Sequence, residues 1–364
     1  MKYSAHSCLW ELTLKCNLQC RHCGSAAGAG RRNELSLQEC MTLADQIVDL
    51  GCKEVTLIGG EVRAFRQWQE LGRYLTARGI SVNIMSNGYK YTERHIDDIK
   101  YAGLTNVGIS IDGLEKRHDW IRNRRGSYAS ALDTLDALGR RGIPTAVVTC
   151  VFKDSLSDLE ELYGVLLARG VEAWQLQLAN SMGRLAGTAS TVDPAITSLL
   201  AAFIQHKAAE RDMVVYAADS IGYFCGNEAS IRGGRTPLRI WEGCQAGLTS
   251  FFIDSVGNVK GCGSLYSDRF IEGNVRSEPL ESIWSDEKRF TYNRGYDPSL
   301  LGGLCRDCDA RSLCRAGCRS NNFFNNGGKL YESASCARLA AAPPTSAPCN
   351  RSQPSGIASE SRGL

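Results

Sequence analysis

Apolar positions along the first half of the chain switch repeatedly between two spacings. Short runs rich in Val, Ile, Leu and Thr recur as "CLWELTL" (8–14), "EVTLIG" (54–59), "SVNIMS" (81–86), "NVGISI" (106–111), "TAVVTCVF" (145–152) and "AWQLQLA" (173–179), and each reads as a β-strand. Between them the apolar residues fall three and four apart. The stretch "SLQECMTLADQIVDLG" (36–51) opens with Ser36 and Glu39 in a capping-box relation and ends on a glycine, and "SALDTLDALGRRG" (130–142) has the same helical texture. Strand, helix and strand at this spacing predict right-handed crossovers and a parallel α/β sheet, either barrel-like or doubly wound.

One more helix is predicted over "DPAITSLLAAFIQHKAAER" (193–211), after which the periodic texture gives way to Gly, Arg and Cys. The expected organisation is an α/β core over 1–220, a bridging segment over 221–243, a second unit over 244–336, and a disordered Ala-, Pro- and Ser-rich tail over 337–364. The second unit is poor in apolar residues for its length, so metal sites are expected to hold it together. Across all 364 residues, a 43% hydrophobic and 22% charged composition is that of a soluble globular protein. A net charge of +3 supplies no strong field for nucleic acid or an acidic membrane, and neither partner is expected. The N-terminus lacks the apolar stretch of a secretory signal and no run reaches membrane-spanning length, so a cytoplasmic location is expected.

That compartment changes the reading of the 16 cysteines, because cytosolic thiols are kept reduced and clustered spacings then point to metal ligation. "CNLQCRHC" (16–23) directly follows the first strand, at the carboxyl end where parallel α/β folds assemble active sites. Cys16, Cys20 and Cys23 suit three corners of a [4Fe–4S] cubane with one iron left open. A structural zinc site with a remote fourth ligand is the alternative.

The segment resembles the signature of the radical S-adenosylmethionine (SAM) enzymes. The resemblance implies a partial (β/α)6 TIM-like barrel in which Cys16, Cys20 and Cys23 are both metal ligands and catalytic residues. It also implies that the open iron is chelated by the amino and carboxylate groups of SAM. An electron from an external donor of flavodoxin or ferredoxin type would split SAM into methionine and a 5′-deoxyadenosyl radical, which abstracts a hydrogen from the substrate. His22 resembles the family's contact to adenine. Gly59, Gly60 and Glu61 end the second strand, the glycines for close backbone approach and Glu61 for the SAM ammonium. The family usually reads Gly-Gly-Glu-Pro, whereas this chain has Val62. Ser86 and Asn87 in "SNG", and Ser110 and Asp112 in "SIDG", are similar to motifs at SAM's polar end and ribose, and Arg122 in "HDWIRNRRG" to a residue reaching the SAM carboxylate. Taken singly, each also reads as a cap, turn or solvated loop.

A second cysteine field runs Cys244, Gly257, Cys262, Cys305, Cys308, Cys314, Cys318 and Cys336. Its order and spacing resemble the SPASM extension of radical SAM enzymes, a small C-terminal iron–sulfur domain with two auxiliary [4Fe–4S] clusters; paired zinc ribbons are the alternative. Carried over, Cys244, Cys262 and Cys318 hold the nearer cluster, and Cys305, Cys308, Cys314 and Cys336 the farther one. The nearer set is one ligand short. Cys225 is the favoured candidate, although sulfatase maturases place the corresponding cysteine where this chain has Leu238; an open iron, or Cys225 as a free hydrogen donor, are the other readings. Cys8, Cys40, Cys52, Cys150 and Cys349 are left as buried or tail thiols.

Sulfatase maturases also carry an acidic base immediately after the second SPASM cysteine, where this chain has Gly263, which argues against formylglycine formation. The first strand begins at Cys8, leaving no room ahead of it for a leader-peptide-binding domain, so a separate protein or the core itself is expected to read a peptide. The resemblance implies maturation of a ribosomally made peptide through an oxidative carbon–carbon, ether or thioether crosslink. Oxidation of a small molecule, such as a porphyrin side chain or an aminocyclitol, and redox-neutral peptide epimerisation are the alternatives.

Overall fold

The computed structural model describes residues 2–188, 193–224, 228–232 and 240–340. Cys225, Leu238 and Cys349 lie outside the described residues. Seven parallel strands build the core: β1 (Ser7–Glu11), β2 (Glu54–Ile58), β3 (Ser81–Ser86), β4 (Asn106–Ser110), β5 (Thr145–Val151), β6 (Ala173–Leu178) and β7 (Val214–Ala217). The crossovers carry helices α1 (Leu37–Asp49), α2 (Trp68–Thr76), α3 (Glu93–Ala102), α4 (Glu115–Arg122), α5 (Ser127–Arg140), α6 (Leu159–Leu167) and α7 (Pro194–Glu210). Helix α1 starts with the expected capping box: the Ser36 side chain accepts from the Glu39 amide, and Glu39 accepts from the Ser36 amide at 2.8 Å.

Alternation within the strands explains the architecture. In β3 and β6 every second residue is fully buried under the helices, including Val82, Ile84, Trp174 and Leu176, while Asn83, Gln175 and Gln177 on the other face are only half-buried. A parallel sheet normally buries both faces in apolar contacts. Here the inner face is polar because it surrounds an internal space.

Two findings depart from the sequence reading. The seventh strand was not expected; its four residues are separated from α7 by only three and offer too short a run to stand out. The iron–sulfur segment also does not form a sheet of its own. Strands β8 (Ser250–Ile253), β9 (Asn258–Lys260) and β10 (Gly273–Asn274) extend the same sheet, with β8 pairing parallel to β1 from Ser7↔Ser250 to Trp10↔Ile253. The order is β10-β9-β8-β1-β2-β3-β4-β5-β6-β7, and among the described residues the two ends are not paired to each other, so the barrel is open. The β8–β9 turn needs Gly257, whose φ is +89°. Among the described residues no helix is long and apolar enough to cross a membrane.

Candidate active site

Pairing between β1 and β2 continues beyond their strand ends and fixes the cysteine loop. The Gly60 amide donates to the Thr13 carbonyl at 2.7 Å and the Glu61 amide to the Lys15 carbonyl at 2.8 Å. A β-carbon on Gly60 would stand 2.5 Å from the Lys15 oxygen, and one on Gly59 2.7 Å from the Thr13 oxygen. These glycines let the cysteine loop lie directly on the end of β2. Glu34 clamps the loop from outside, accepting from the Leu14 and Arg31 amides at 2.8 and 3.0 Å and from the Thr13 hydroxyl at 2.8 Å. From beyond β6, the Arg184 guanidinium donates to the Cys20 carbonyl at 2.9 Å and to the Ala27 carbonyl. Nothing in the sequence had singled out Glu34 or Arg184.

The loop gathers Cys16, Cys20 and Cys23 on the wall of a cavity of about 340 Å³. Burial pushes the Cys16 thiol up to about 11, and the charges of Glu61, Cys20 and Cys23 push the same way. Burial also raises Cys20, with Arg122 partly offsetting it. Amides of Leu18 and Ala27 donate to the Cys16 and Cys23 sulfurs at 3.4 and 3.3 Å. Thiolates crowded in this way repel one another, and a cationic iron core is the partner that compensates them.

Beside the cysteine loop sits a buried charge network, with Arg122 Nη1 3.9 Å from the Cys20 sulfur. Asp112 Oδ2 is 2.6 Å from Arg122 Nε and 3.5 Å from His22 Nε2, and its Oδ1 accepts from the Cys150 amide at 3.0 Å. Burial alone would raise the Asp112 carboxyl, but Arg122, His22 and His118 outweigh it and hold the group at about 2. Burial pulls His22 down to about 4, so near neutral pH the ring is uncharged, with Nδ1 buried and unpartnered among the described residues. Three thiols at one end, an orphaned ring nitrogen and a polar wall fit an iron–sulfur cluster with SAM beside it.

The expected SAM contacts divide into two groups. His22, Gly59, Gly60, Asn87, Ser110, Asp112 and Arg122 line the cavity; Glu61 and Ser86 do not. The Glu61 carboxylate is engaged instead by the Ser86 hydroxyl at 2.8 Å, the Asn87 amide at 3.0 Å and Arg63 Nε at 3.2 Å. It ties the end of β3 to the loop after β2. Val62, in the place of the usual proline, is fully buried. Cys150, Gln177, Asn180 and Met182 complete the wall from β5, β6 and the loop beyond, and the sequence reading had left Cys150 as an ordinary buried thiol.

The second cysteine field forms two neighbouring sets. Cys244, Cys262 and Cys318 line a separate cavity of about 260 Å³, where burial and the mutual charge of the set push Cys262 and Cys318 up to about 12. Cys305, Cys308, Cys314 and Cys336 lie within electrostatic reach of one another, and Arg338 Nη1 donates to the Cys308 sulfur at 3.3 Å. Gly263 has no room for an acid, since a β-carbon there would stand 2.8 Å from Phe252 and 2.9 Å from Leu9. Asp219, which follows β7, lines the second cavity, and desolvation raises its carboxyl against the opposing charge of Arg232. Recognising β7 would have exposed it as another strand-end acid.

The Radical SAM superfamily model matches residues 10–166 and the SPASM iron–sulfur cluster-binding domain residues 244–309. The AdoMet-dependent heme synthase of Methanosarcina barkeri is 28% identical over 337 residues, covering 90% of this chain and 95% of that protein. The mycofactocin maturase MftC of Mycolicibacterium smegmatis is 28% identical over 317 residues, covering 86% and 78%. SuiB of Streptococcus suis, solved with S-adenosylmethionine and with its precursor peptide SuiA, superposes with a TM-score of 0.73 in each case at 16% identity, covering 92% of this chain and 77% and 76% of the SuiB chains. The chain is an enzyme of the radical SAM superfamily with a C-terminal SPASM iron–sulfur domain.

Proposed function

We propose that this enzyme abstracts a hydrogen from a ribosomally made peptide and leaves an oxidative crosslink, with Cys16, Cys20 and Cys23 holding the SAM-binding cluster. The cavity at the strand ends carries the radical reading, because it brings three thiols together with the Asp112–Arg122 pair. When bound, the cluster and SAM supply a reductively generated 5′-deoxyadenosyl radical. The chain's own part is positional. Asn87, Ser110, Asp112 and Arg122 present polar groups to SAM, while Glu61 fixes the Asn87 turn from behind. The Asp112 charge is balanced by Arg122, so the pocket holds SAM without an uncompensated carboxylate. In this reading the two further thiol sets hold auxiliary clusters that accept the surplus electron, a flavodoxin- or ferredoxin-type protein delivers the initiating one, and a separate protein presents the peptide leader.

Similarity to a maturase favours the peptide substrate. Similarity along 95% of a heme synthase favours a second reading, oxidation of a tetrapyrrole side chain by the same initiation. Anaerobic reduction with SAM is expected to release 5′-deoxyadenosine, and the Cys16/Cys20/Cys23→Ala triple variant to release none; release by that variant would overturn the assignment. The loaded parent is expected to hold about twelve Fe per chain. Incubation with candidate precursor peptides is expected to remove two hydrogens from the peptide mass. Turnover of a porphyrin propionate with no peptide modified would select the second reading, and an unchanged peptide mass with solvent deuterium incorporated would indicate epimerisation.

A further inference from the structure

The set Cys244, Cys262 and Cys318 is one ligand short of closing a cubane, and their cavity contains a fourth anionic group. We infer that Asp219 is the fourth protein ligand of the nearer auxiliary cluster; this rests on the reading that the three thiols hold such a cluster. Asp219 lines the same cavity of about 260 Å³, far more than the roughly 30 Å³ share of one water molecule. Asp219 is exposed and the Arg232 charge acts on it, but among the described residues no hydrogen bond or ion pair engages its carboxylate. The other acid on the wall, Glu54, accepts a hydrogen bond from Asn83 Nδ2 at 2.7 Å. Asp219 is the carboxylate within electrostatic reach of both Cys262 and Cys318.

The backbone holds Asp219 against the thiols. The Tyr223 hydroxyl donates to the Asp219 carbonyl and accepts from the Cys318 amide at 3.0 Å, so one side chain sets the distance between the two candidate ligands. Tyr223 and Phe224 adopt positive φ angles of 79° and 59°, and the Glu228 carboxylate holds that turn by accepting both their amides, at 3.2 and 2.9 Å. The Ser220 hydroxyl accepts the Leu178 amide at 3.2 Å, anchoring the loop to β6. Asp219, after β7 at one end of the sheet, and Cys262, after β9 near the other, therefore line one cavity. A cluster ligated from both sides would staple the open barrel shut. Carboxylate oxygen is a harder donor than thiolate, so this cluster would have a higher reduction potential than an all-thiolate one.

The test uses the full chain carrying Cys16/Cys20/Cys23→Ala, reconstituted anaerobically with iron and sulfide, so that only auxiliary iron is observed. About eight Fe per chain is expected; about four would sink the nearer cluster itself, and the inference with it, before Asp219 is touched. In that background Asp219→Ala and the isosteric Asp219→Asn are expected to change the electron paramagnetic resonance and Mössbauer signature of one cluster. They should also convert it to a three-iron form on mild oxidation and admit a water ligand, seen as coupling to ¹⁷O from labelled solvent. Signals of the farther cluster, unchanged, report that the variant is folded. Asp219→Cys is expected to restore four irons with a potential below that of the parent, and Cys225→Ser to alter nothing. Unchanged spectra in both Asp219→Ala and Asp219→Asn would overturn the inference, as would a signature that shifts with Cys225→Ser instead.

Discussion

Among individual residues, Asp112 bears the most on the SAM cavity, because four groups converge on it. Its pairing with Arg122 is nearly solvent-free, with side-chain exposures of 1% and 10%. Removing one member of such a pair strands the other charge. Asp112→Asn is therefore expected to lower unfolding stability by about 3–5 kcal/mol, while the Asp112→Asn/Arg122→Met double variant recovers much of that loss. Denaturant unfolding of the full cycle measures the coupling, and additive effects would show that the pair is not a unit. His118 makes a pH prediction. Its Nδ1 accepts the Asp112 amide at 3.1 Å, and burial, reinforced by Arg122, lowers the ring to about 4. The unfolded chain binds a proton near pH 6.5 that the folded chain refuses until about pH 4, so stability contributed by neutral His118 falls as pH drops through that window. The slope approaches about 1.4 kcal/mol per pH unit for one proton. His118→Asn keeps an acceptor and cannot titrate, so its urea midpoint should depend less on pH between 4.5 and 6.5 than the parent's; equal dependence would refute the role. Asp112, Arg122 and His22 were legible in the sequence because each sits in a short motif at a strand end. Glu34, Arg184 and Gln177 act singly from distant positions, and no local pattern marks them.

The cysteine loop lies tightly on the end of β2. Gly60→Ala would drive a methyl group into the Lys15 carbonyl, with backbone on both sides and no side chain free to yield. The expected result is a loop lifted from β2, loss of about four Fe per chain from the SAM-binding site, and retention of auxiliary iron. Iron content and the remaining auxiliary spectra separate this from global unfolding, and full loading of the variant would show that the loop has slack. Gly24→Ala provides the contrast, because its nearest neighbour is the flexible end of Met182, so loading should fall far less. The first six strands and their helices were readable because each has several alternating residues with a turn signal behind it. β7 was not: "VVYA" is short and separated from α7 by only three residues, so its period merges with the helical one. Missing β7 hid Asp219, which by the strand-end rule belonged with Asp112 from the start. β8 to β10 were hidden for a different reason, since the cysteines and glycines around them dominate the composition and the strands are two to four residues long.

Over the whole molecule, those three strands decide whether the iron–sulfur segment is an appendage or part of the core. Pairing of β8 with β1 places Phe251 and Ile253 in the same apolar cluster as Trp10 and Leu57, and Val259, Leu280, Ile283, Trp284 and Phe290 join it. Trp284 is fully buried, packs against Phe251 and Phe290 with ring centroids 5.6 and 5.4 Å away, and donates from its indole nitrogen to the Tyr3 carbonyl at 3.1 Å. A second, smaller cluster around Tyr223, Trp241 and Tyr292 packs about the nearer thiol set and about Cys314 and Cys336 of the farther one. The radical-generating strands and the first part of the SPASM segment thus share one core, and only the residues around the thiols have one of their own. Two consequences follow from the shared packing. Trp284→Ala should lower stability by about 3–5 kcal/mol, and the loss should appear equally in far-ultraviolet circular dichroism, which reports the barrel, and in the visible absorbance of the iron sites. Two-state coupling requires those transitions to coincide. A chain ending at residue 243 would lose β8 and bare the β1 edge beside an apolar face, so it should be insoluble or lack a cooperative transition rather than persist as a free barrel. A soluble 1–243 fragment unfolding at the parent's midpoint would show instead that the sheet ends at β1 in energetic terms, and that β8 to β10 are held there by the iron sites rather than holding them.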